Sequence, residues 1–280
     1  MTYFRFEKWQ DRDGDEKLRE AWIASNESAQ RVDGYQVDGT CGLCGKSTRF
    51  SFPDGAQHNH PDPREDLICT ECMQCSRIRA GIELLRGAVD TDNPKTQVYI
   101  TEQVTPTYVW LQTNLAATVE GSEFEPSWLR RRKLTLQLRN MGGRGSVQYQ
   151  DVTNLNLKNS SLDAIVTFDV LEHVPDYSAA IREFARVLKP GAICVATFPF
   201  TDGPNTIIRA KLDVAGQIEH LREPEYHGDP ISGGVLCYYH FGWDILDSFR
   251  QAGFRHVEMV MPWGHERGYF YGLWTLIGTR

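Results

Sequence analysis

The chain has 280 residues and a formal net charge of −7, with 41% hydrophobic and 24% charged residues. This is ordinary for a globular protein of one large α/β domain with a small appendage, or of two modest domains. The acidic balance argues against nucleic acid as the main ligand and leaves Arg130, Arg131, Arg132 and Lys133 as a solvated helix face. No apolar run approaches the roughly 20 residues needed to span a bilayer. Met1–Glu20 is rich in charge and lacks the apolar core of a secretory signal. The expectation is a cytoplasmic chain with no membrane partner, whose seven cysteines are metal ligands or buried thiols rather than disulfides.

Residues 1–35 read as a helical segment and connector, with Leu18, Ala21 and Trp22 on one stripe. Residues 36–92 form a second segment, in which Gly, Pro, Asp, His and Cys dominate and periodicity disappears up to about residue 80. Such a stretch buries little apolar area and needs a staple. Residues 93–280 read as one α/β domain. Val98–Ile100 and Ala117–Val119 are strand signals on either side of a helix at Tyr108–Leu115, and Val147–Tyr149 is a third strand candidate. Leu162–Phe168 is a near-continuous apolar run, as expected of a strand covered on both faces. Pro175–Asp176 opens a helix, with Asp176 as cap and Ile181, Phe184, Ala185 and Leu188 on one face. Lys189–Pro190–Gly191 closes that helix. Ala192–Phe198 is the next buried strand. A polar insertion at about 199–240 precedes a helix at Trp243–Ala252, closed by Gly253, and late strands at Val257–Met261 and Leu273–Ile277. Alternation of this kind predicts a doubly wound, mostly parallel sheet.

Cys41-x-x-Cys44 and Cys69-x-x-Cys72 are two metal knuckles. Two residues between thiolates let both meet one ion from a tight turn, and four thiolates make the closed tetrahedral site of a structural Zn2+. Gly42 and Gly45 suit the turn. The 24 residues between the pairs exceed the usual ribbon spacing of about 15–20. They hold His58 and His60 as substitute ligands, and Cys75 is a fifth thiol at the same interval.

The stretch Ser161–Gly191, SLDAIVTFDVLEHVPDYSAAIREFARVLKPG, resembles the middle of class I S-adenosylmethionine-dependent methyltransferases, in which an acidic strand end precedes a helix and a VLKPGG-like turn. With the cysteine pairs upstream and EYHGDP and FGWDIL downstream, the chain is similar to bacterial methyltransferases of sugar and natural-product pathways. The resemblance implies a Rossmann-like sheet over residues 97–280 that holds S-adenosylmethionine at its strand ends. It places Thr101 and Glu102 after the first strand, Glu123 on the ribose diol, Asp151 and Val152 at the adenine, and Asp169 and Val170 near the methionine portion. The family's glycine-rich loop after the first strand is replaced by Thr101-Glu-Gln-Val-Thr-Pro106. That departure admits an alternative: a non-catalytic, zinc-containing binding module on a degenerate scaffold. A dehydrogenase is disfavoured, because G-x-G-x-x-G is missing.

Methyl transfer from a sulfonium needs alignment, and a hydroxyl acceptor also needs a base. His173, His227 with Asp229, and His240 are the candidates. The expected partner is a small-molecule or sugar-like acceptor, methylated on a hydroxyl or an amine. Phe241 and Trp243 read as core rather than as stacking residues.

Overall fold

The computed structural model describes residues 2–12, 15–29, 36–52, 62–228 and 234–280. In chain order the elements are β1 (Thr2–Phe6), α1 (Glu16–Ala29), β2 (Gln36–Thr40), β3 (Ser47–Ser51), β4 (Ile68–Cys69), α2 (Ser76–Ala88), β5 (Gln97–Ile100), α3 (Pro106–Asn114), β6 (Thr118–Gly121) and α4 (Trp128–Asn140). There follow β7 (Leu162–Phe168), α5 (Tyr177–Val187), β8 (Leu188–Thr197), β9 (Ile207–Ile208), β10 (Ala210–Leu212), β11 (Ile218–His220), β12 (Tyr226–His227), β13 (Val235–Leu236), β14 (Tyr239–His240), α6 (Ile245–Gln251), β15 (His256–Trp263) and β16 (Thr275–Thr279). The chain forms two compact units, Met1–Gly87 with Glu258–Leu276, and Ala88–Val257 with Ile277–Arg280.

In the larger unit the strand order is β16-β8-β7-β5-β6. The pairs β5–β6, β5–β7 and β7–β8 are parallel. The chain steps from β5 outward to β6, then returns to the other side of β5 for β7 and β8. Right-handed crossovers on opposite sides of a starting strand put their helices on opposite faces. The result is the expected Rossmann-like, doubly wound α/β arrangement, with its switch point between β5 and β7. Ile100, Ile165, Val166, Val195 and Ala196 are fully buried in the sheet, which explains the unbroken apolar runs. On α5, Ile181, Phe184 and Ala185 are buried, and Asp176 caps the helix by accepting from Ala179 N–H at 2.8 Å.

Two local expectations change. Lys189–Pro190–Gly191 lies within β8 rather than between the helix and the strand. The register shifts between Leu162 and Ala164, Gly191 takes φ +83°, and Lys189 Nζ reaches both Asp163 oxygens at 2.8 Å. Val147–Tyr149 is not a strand: it makes a single parallel bridge, Glu123 to Tyr149. Asp151 ends the pairing by accepting from both the N–H and the hydroxyl of Thr153, a local turn that competes with a ladder.

In the smaller unit β1 runs antiparallel to β15, Phe4 facing Met261, and β2-β3-β4 form a separate sheet. Helix α2 lies mostly beyond residue 80, where no helix is expected; its apolar residues recur at helical spacing, and Ile78, Ala80, Ile82, Leu84 and Leu85 are buried. So is Arg79, whose guanidinium lies 4.4 Å from the Phe50 ring and 5.0 Å from the Tyr269 ring. It donates to the carbonyls of Arg267 at 2.6 Å and Gly268 at 3.1 Å.

Candidate active site and metal centres

The cysteine knuckles come together. Cys41 Sγ lies 3.9 Å from Cys72 Sγ, and Cys44 Sγ 4.0 Å from Cys69 Sγ. A zinc tetrahedron with Zn–S bonds of about 2.3 Å has edges of roughly 3.8 Å, so the thiol set fits that ion. The two knuckles are built alike. Gly45 N–H donates to Cys41 O and Met73 N–H to Cys69 O, each at 2.8 Å. The residue after each second cysteine is left-handed, Gly45 at φ +70° and Met73 at φ +58°. Gly42 serves differently, because a Cβ there would meet the Glu83 carboxylate at 1.9 Å. The Cys72 thiol brings Cys41 down to about 4, while Cys41 pushes Cys72 up and burial pushes Cys44 up to about 11. Cys75 stands outside this set. His58 and His60 lie outside the described residues.

In the larger unit the expected cofactor residues sit along the carboxyl edge of the sheet. Ile100 pairs with Gly121 and with Val166, so Thr101, Glu102 and Glu123 follow neighbouring strand ends. Several of these side chains carry structural bonds. Thr101 Oγ1 donates to Thr167 Oγ1 at 3.0 Å inside the sheet. Glu123 Oε1 accepts from the backbone N–H groups of Gln103 at 2.7 Å and Val104 at 2.6 Å. That carboxylate holds the glycine-free loop in shape, a task the sequence did not suggest. Asp151 is bonded to Thr153, and Val152 is half-buried beside it. Asp169 is left-handed at φ +51° and accepts from Thr197 Oγ1 at 2.9 Å. A non-glycine residue in that region costs of order 1–2 kcal/mol. Val170 opens the single 3-10 turn Leu171–His173. A cavity of about 590 Å³ beside the β5 and β6 tips is lined by Tyr99, Gln103, Tyr108, Ser122, Gln148 and Gln150, among others. None of the seven expected cofactor residues lines it.

The three candidate histidines converge. The His173 and His227 rings meet edge-on with centroids 5.0 Å apart. His227 Nε2 and His240 Nε2 each lie 2.9 Å from Glu225 Oε1. Three residues outside the expected set complete the group, Glu225, Cys237 and Glu172. Cys237 is fully buried, and its N–H donates to Glu225 O at 2.8 Å. Glu172 is also fully buried, with Oε1 3.7 Å from His173 Nε2 and 3.6 Å from His227 Nδ1. Cys237 and then Glu172 raise His227 to about 11, and His240 is raised as well, chiefly by Cys237. Burial pushes Cys237 and Glu225 up, but the two histidines outweigh it and bring both below their ordinary values. Burial raises Glu172, and His227 offsets this only in part. Asp229 lies outside the described residues. Phe241 and Trp243 are buried and pack in an aromatic cluster with Phe198 and Phe200, as a core reading requires. The sequence did carry a signal for the wider group: Glu225-x-His227 and Cys237-x-x-His240 have metal-ligand spacing.

Residues 106–196, about a third of the chain, match the methyltransferase domain family. The chain is 30% identical over 82 residues to the methyltransferase GfsG of Streptomyces halstedii, spanning 29% of this chain and 30% of that protein's length. Among solved structures, an S-adenosylmethionine-dependent methyltransferase from Thermotoga maritima is 17% identical, with a TM-score of 0.43 over 72% of this chain and 88% of that one. One from Mesorhizobium loti is 18% identical, with a TM-score of 0.43 over 70% and 94%. Residues 106–196, the segment from α3 into β8, thus resemble a methyltransferase domain.

Proposed function

We propose that this protein is an S-adenosylmethionine-dependent methyltransferase that methylates a hydroxyl, or an amine, of a small-molecule or sugar-like acceptor. The carrying observation is that the family match covers α3 to β8, the elements whose carboxyl edge bears Glu123 and Asp169. The donor chemistry at that edge suits the cofactor: carboxylates for ribose hydroxyls and an adenine amino group, and a strained aspartate beside the methionine portion. Bound S-adenosylmethionine would supply an activated methyl group. The chain's own task would be to align the acceptor and take its proton.

His173 is the residue best suited to that proton. Its Nδ1 lies 2.9 Å from the Leu236 carbonyl, which can only accept, so Nδ1 bears a hydrogen and Nε2 is the nitrogen turned toward an acceptor. The glycine-free loop, closed by Glu123, supports the second reading of a non-catalytic scaffold. Calorimetric titration with S-adenosylmethionine separates the two. The enzyme reading expects one cofactor per chain, with binding weakened at least tenfold in Asp169→Ala. It also expects transfer of label from methyl-labelled cofactor to a panel of sugars and phenols, lost in His173→Gln with cofactor binding kept. Absence of binding heat in the folded protein would overturn it.

A further inference from the structure

We propose that Glu225, His227, Cys237 and His240 form a second zinc-type metal site, chemically unlike the four-cysteine site and independent of the methyltransferase reading. The four residues each offer one ligand atom, and these atoms all lie within 4.8 Å of one another. Tetrahedral zinc with bonds of about 2.0–2.3 Å has ligand–ligand edges of roughly 3.3–3.8 Å. The two 2.9 Å approaches to Glu225 Oε1 need open by only a few tenths of an ångström. Two neutral imidazoles, one thiolate and one carboxylate carry two negative charges, which neutralise a divalent ion, and the mixed N, S and O donors suit zinc rather than magnesium or calcium.

The fold explains how the four meet. Strands β12 and β13 pair antiparallel, Tyr226 facing Leu236 and His227 facing Val235. Glu225 precedes β12 and Cys237 follows β13, so the pairing brings them side by side. His240 enters from β14, which is held against β9.

Glu172 supplies the independent observation. Its side chain is fully buried, and neither carboxylate oxygen has a hydrogen-bond partner. A buried carboxylate beside two imidazoles, 3.7 Å from His173 Nε2 and 3.6 Å from His227 Nδ1, is relieved only when a ring hydrogen is turned toward it. Its Oε1 faces Nδ1 of His227 at 3.6 Å, on the far side of the ring from Glu225. An ion on Nε2 fixes the hydrogen on Nδ1 and aims it at Glu172. This is the carboxylate–histidine–metal arrangement that orients metal-bound imidazoles. His173 is not a ligand of this site, because its ring nitrogens group with Glu172 and His227 and not with Glu225, Cys237 and His240. With four protein ligands the site is closed. It ties β12, β13 and β14 together, and it makes His227 and His240 ligands rather than bases.

The test is metal content by plasma mass spectrometry on tag-free full-length protein grown with zinc and dialysed extensively. Wild type is expected to hold two zinc ions per chain, and Cys237→Ser and His240→Ala one each. Cobalt substitution gives a second readout that does not depend on every variant folding equally well. The wild-type visible spectrum should be the sum of a four-thiolate component and a weaker one-thiolate component, and Cys237→Ser should lose only the latter. Glu172→Gln should keep the stoichiometry and weaken cobalt binding at this site about 10–100-fold. A single zinc per wild-type chain, or a cobalt spectrum unchanged in Cys237→Ser, overturns the site. Unchanged cobalt affinity in Glu172→Gln overturns the role given to Glu172.

Discussion

The two clusters of soft ligands differ in what surrounds them. The cysteine knuckles lie among short strands and a turn, backed by the single apolar helix α2. The Glu225 cluster lies in an insertion whose neighbour is a fully buried parallel sheet. A metal that staples a sparse region is part of its folding free energy, whereas one that ties an insertion onto an existing core adjusts that insertion only. The same chemistry therefore carries different weight in the two places.

The largest expected effect lies on the knuckle side. Cys44→Ser should abolish cooperative unfolding of the smaller unit, since structural zinc contributes on the order of 10 kcal/mol in isolated fingers. Cys75→Ser should leave the transition in place. Thermal melts followed by near-ultraviolet dichroism read both, and a Cys44→Ser protein that melts like wild type breaks the comparison. Next comes Arg79→Met, which removes the donors to Arg267 O and Gly268 O. Leaving such carbonyls unpaired should cost about 3 kcal/mol in urea unfolding, and a loss below 1 kcal/mol would mean that the helix does not brace the knuckle. On the other side, Cys237→Ala should lower the main unfolding midpoint little while amide exchange across residues 225–240 speeds up. A global loss as large as that of Cys44→Ser would erase the distinction drawn here.

The smallest effects probe the symmetry of the knuckles. Met73→Gly should stabilise by about 0.5–1 kcal/mol, because it relieves a left-handed residue. Gly45→Ala should destabilise by about 1 kcal/mol, because it creates one. Equal melting temperatures for the two variants would show that the knuckles are not built alike.

Much of this was legible before any coordinates. The runs at 162–168 and 192–198 announced a covered parallel sheet, and C-x-x-C spacing announced the four thiols. Other features were hidden for physical reasons. In helix α2, SRIRAGIELLRGA, the apolar residues do recur at helical spacing, but an arginine buried between two rings does not look like core in a sequence. The third strand candidate had the right side chains, but Asp151 offers Thr153 a better local bond than a ladder. The missing glycines pointed to a weakened cofactor loop. What the sequence could not reveal is that Glu123, distant in number, supplies the two acceptor bonds that shape it. The cluster in the insertion was half visible as three histidines. Glu225 and Cys237 flank two-residue strands that are too short to show a period.

The smaller unit is assembled from residues far apart in the chain, Met1–Gly87 and Glu258–Leu276. Ser76 and Arg79 bond to Gly268, and Glu83 accepts from the Tyr269 hydroxyl at 2.7 Å. All four knuckle cysteines therefore leave the ribosome long before the residues that brace them. If the four thiols take zinc, as their spacing fits, they would capture it during synthesis on a half-built support or wait, reduced and exposed, while residues 88–257 are translated. A nascent chain stalled at Val257 would hold every cysteine ligand and none of these three bonds.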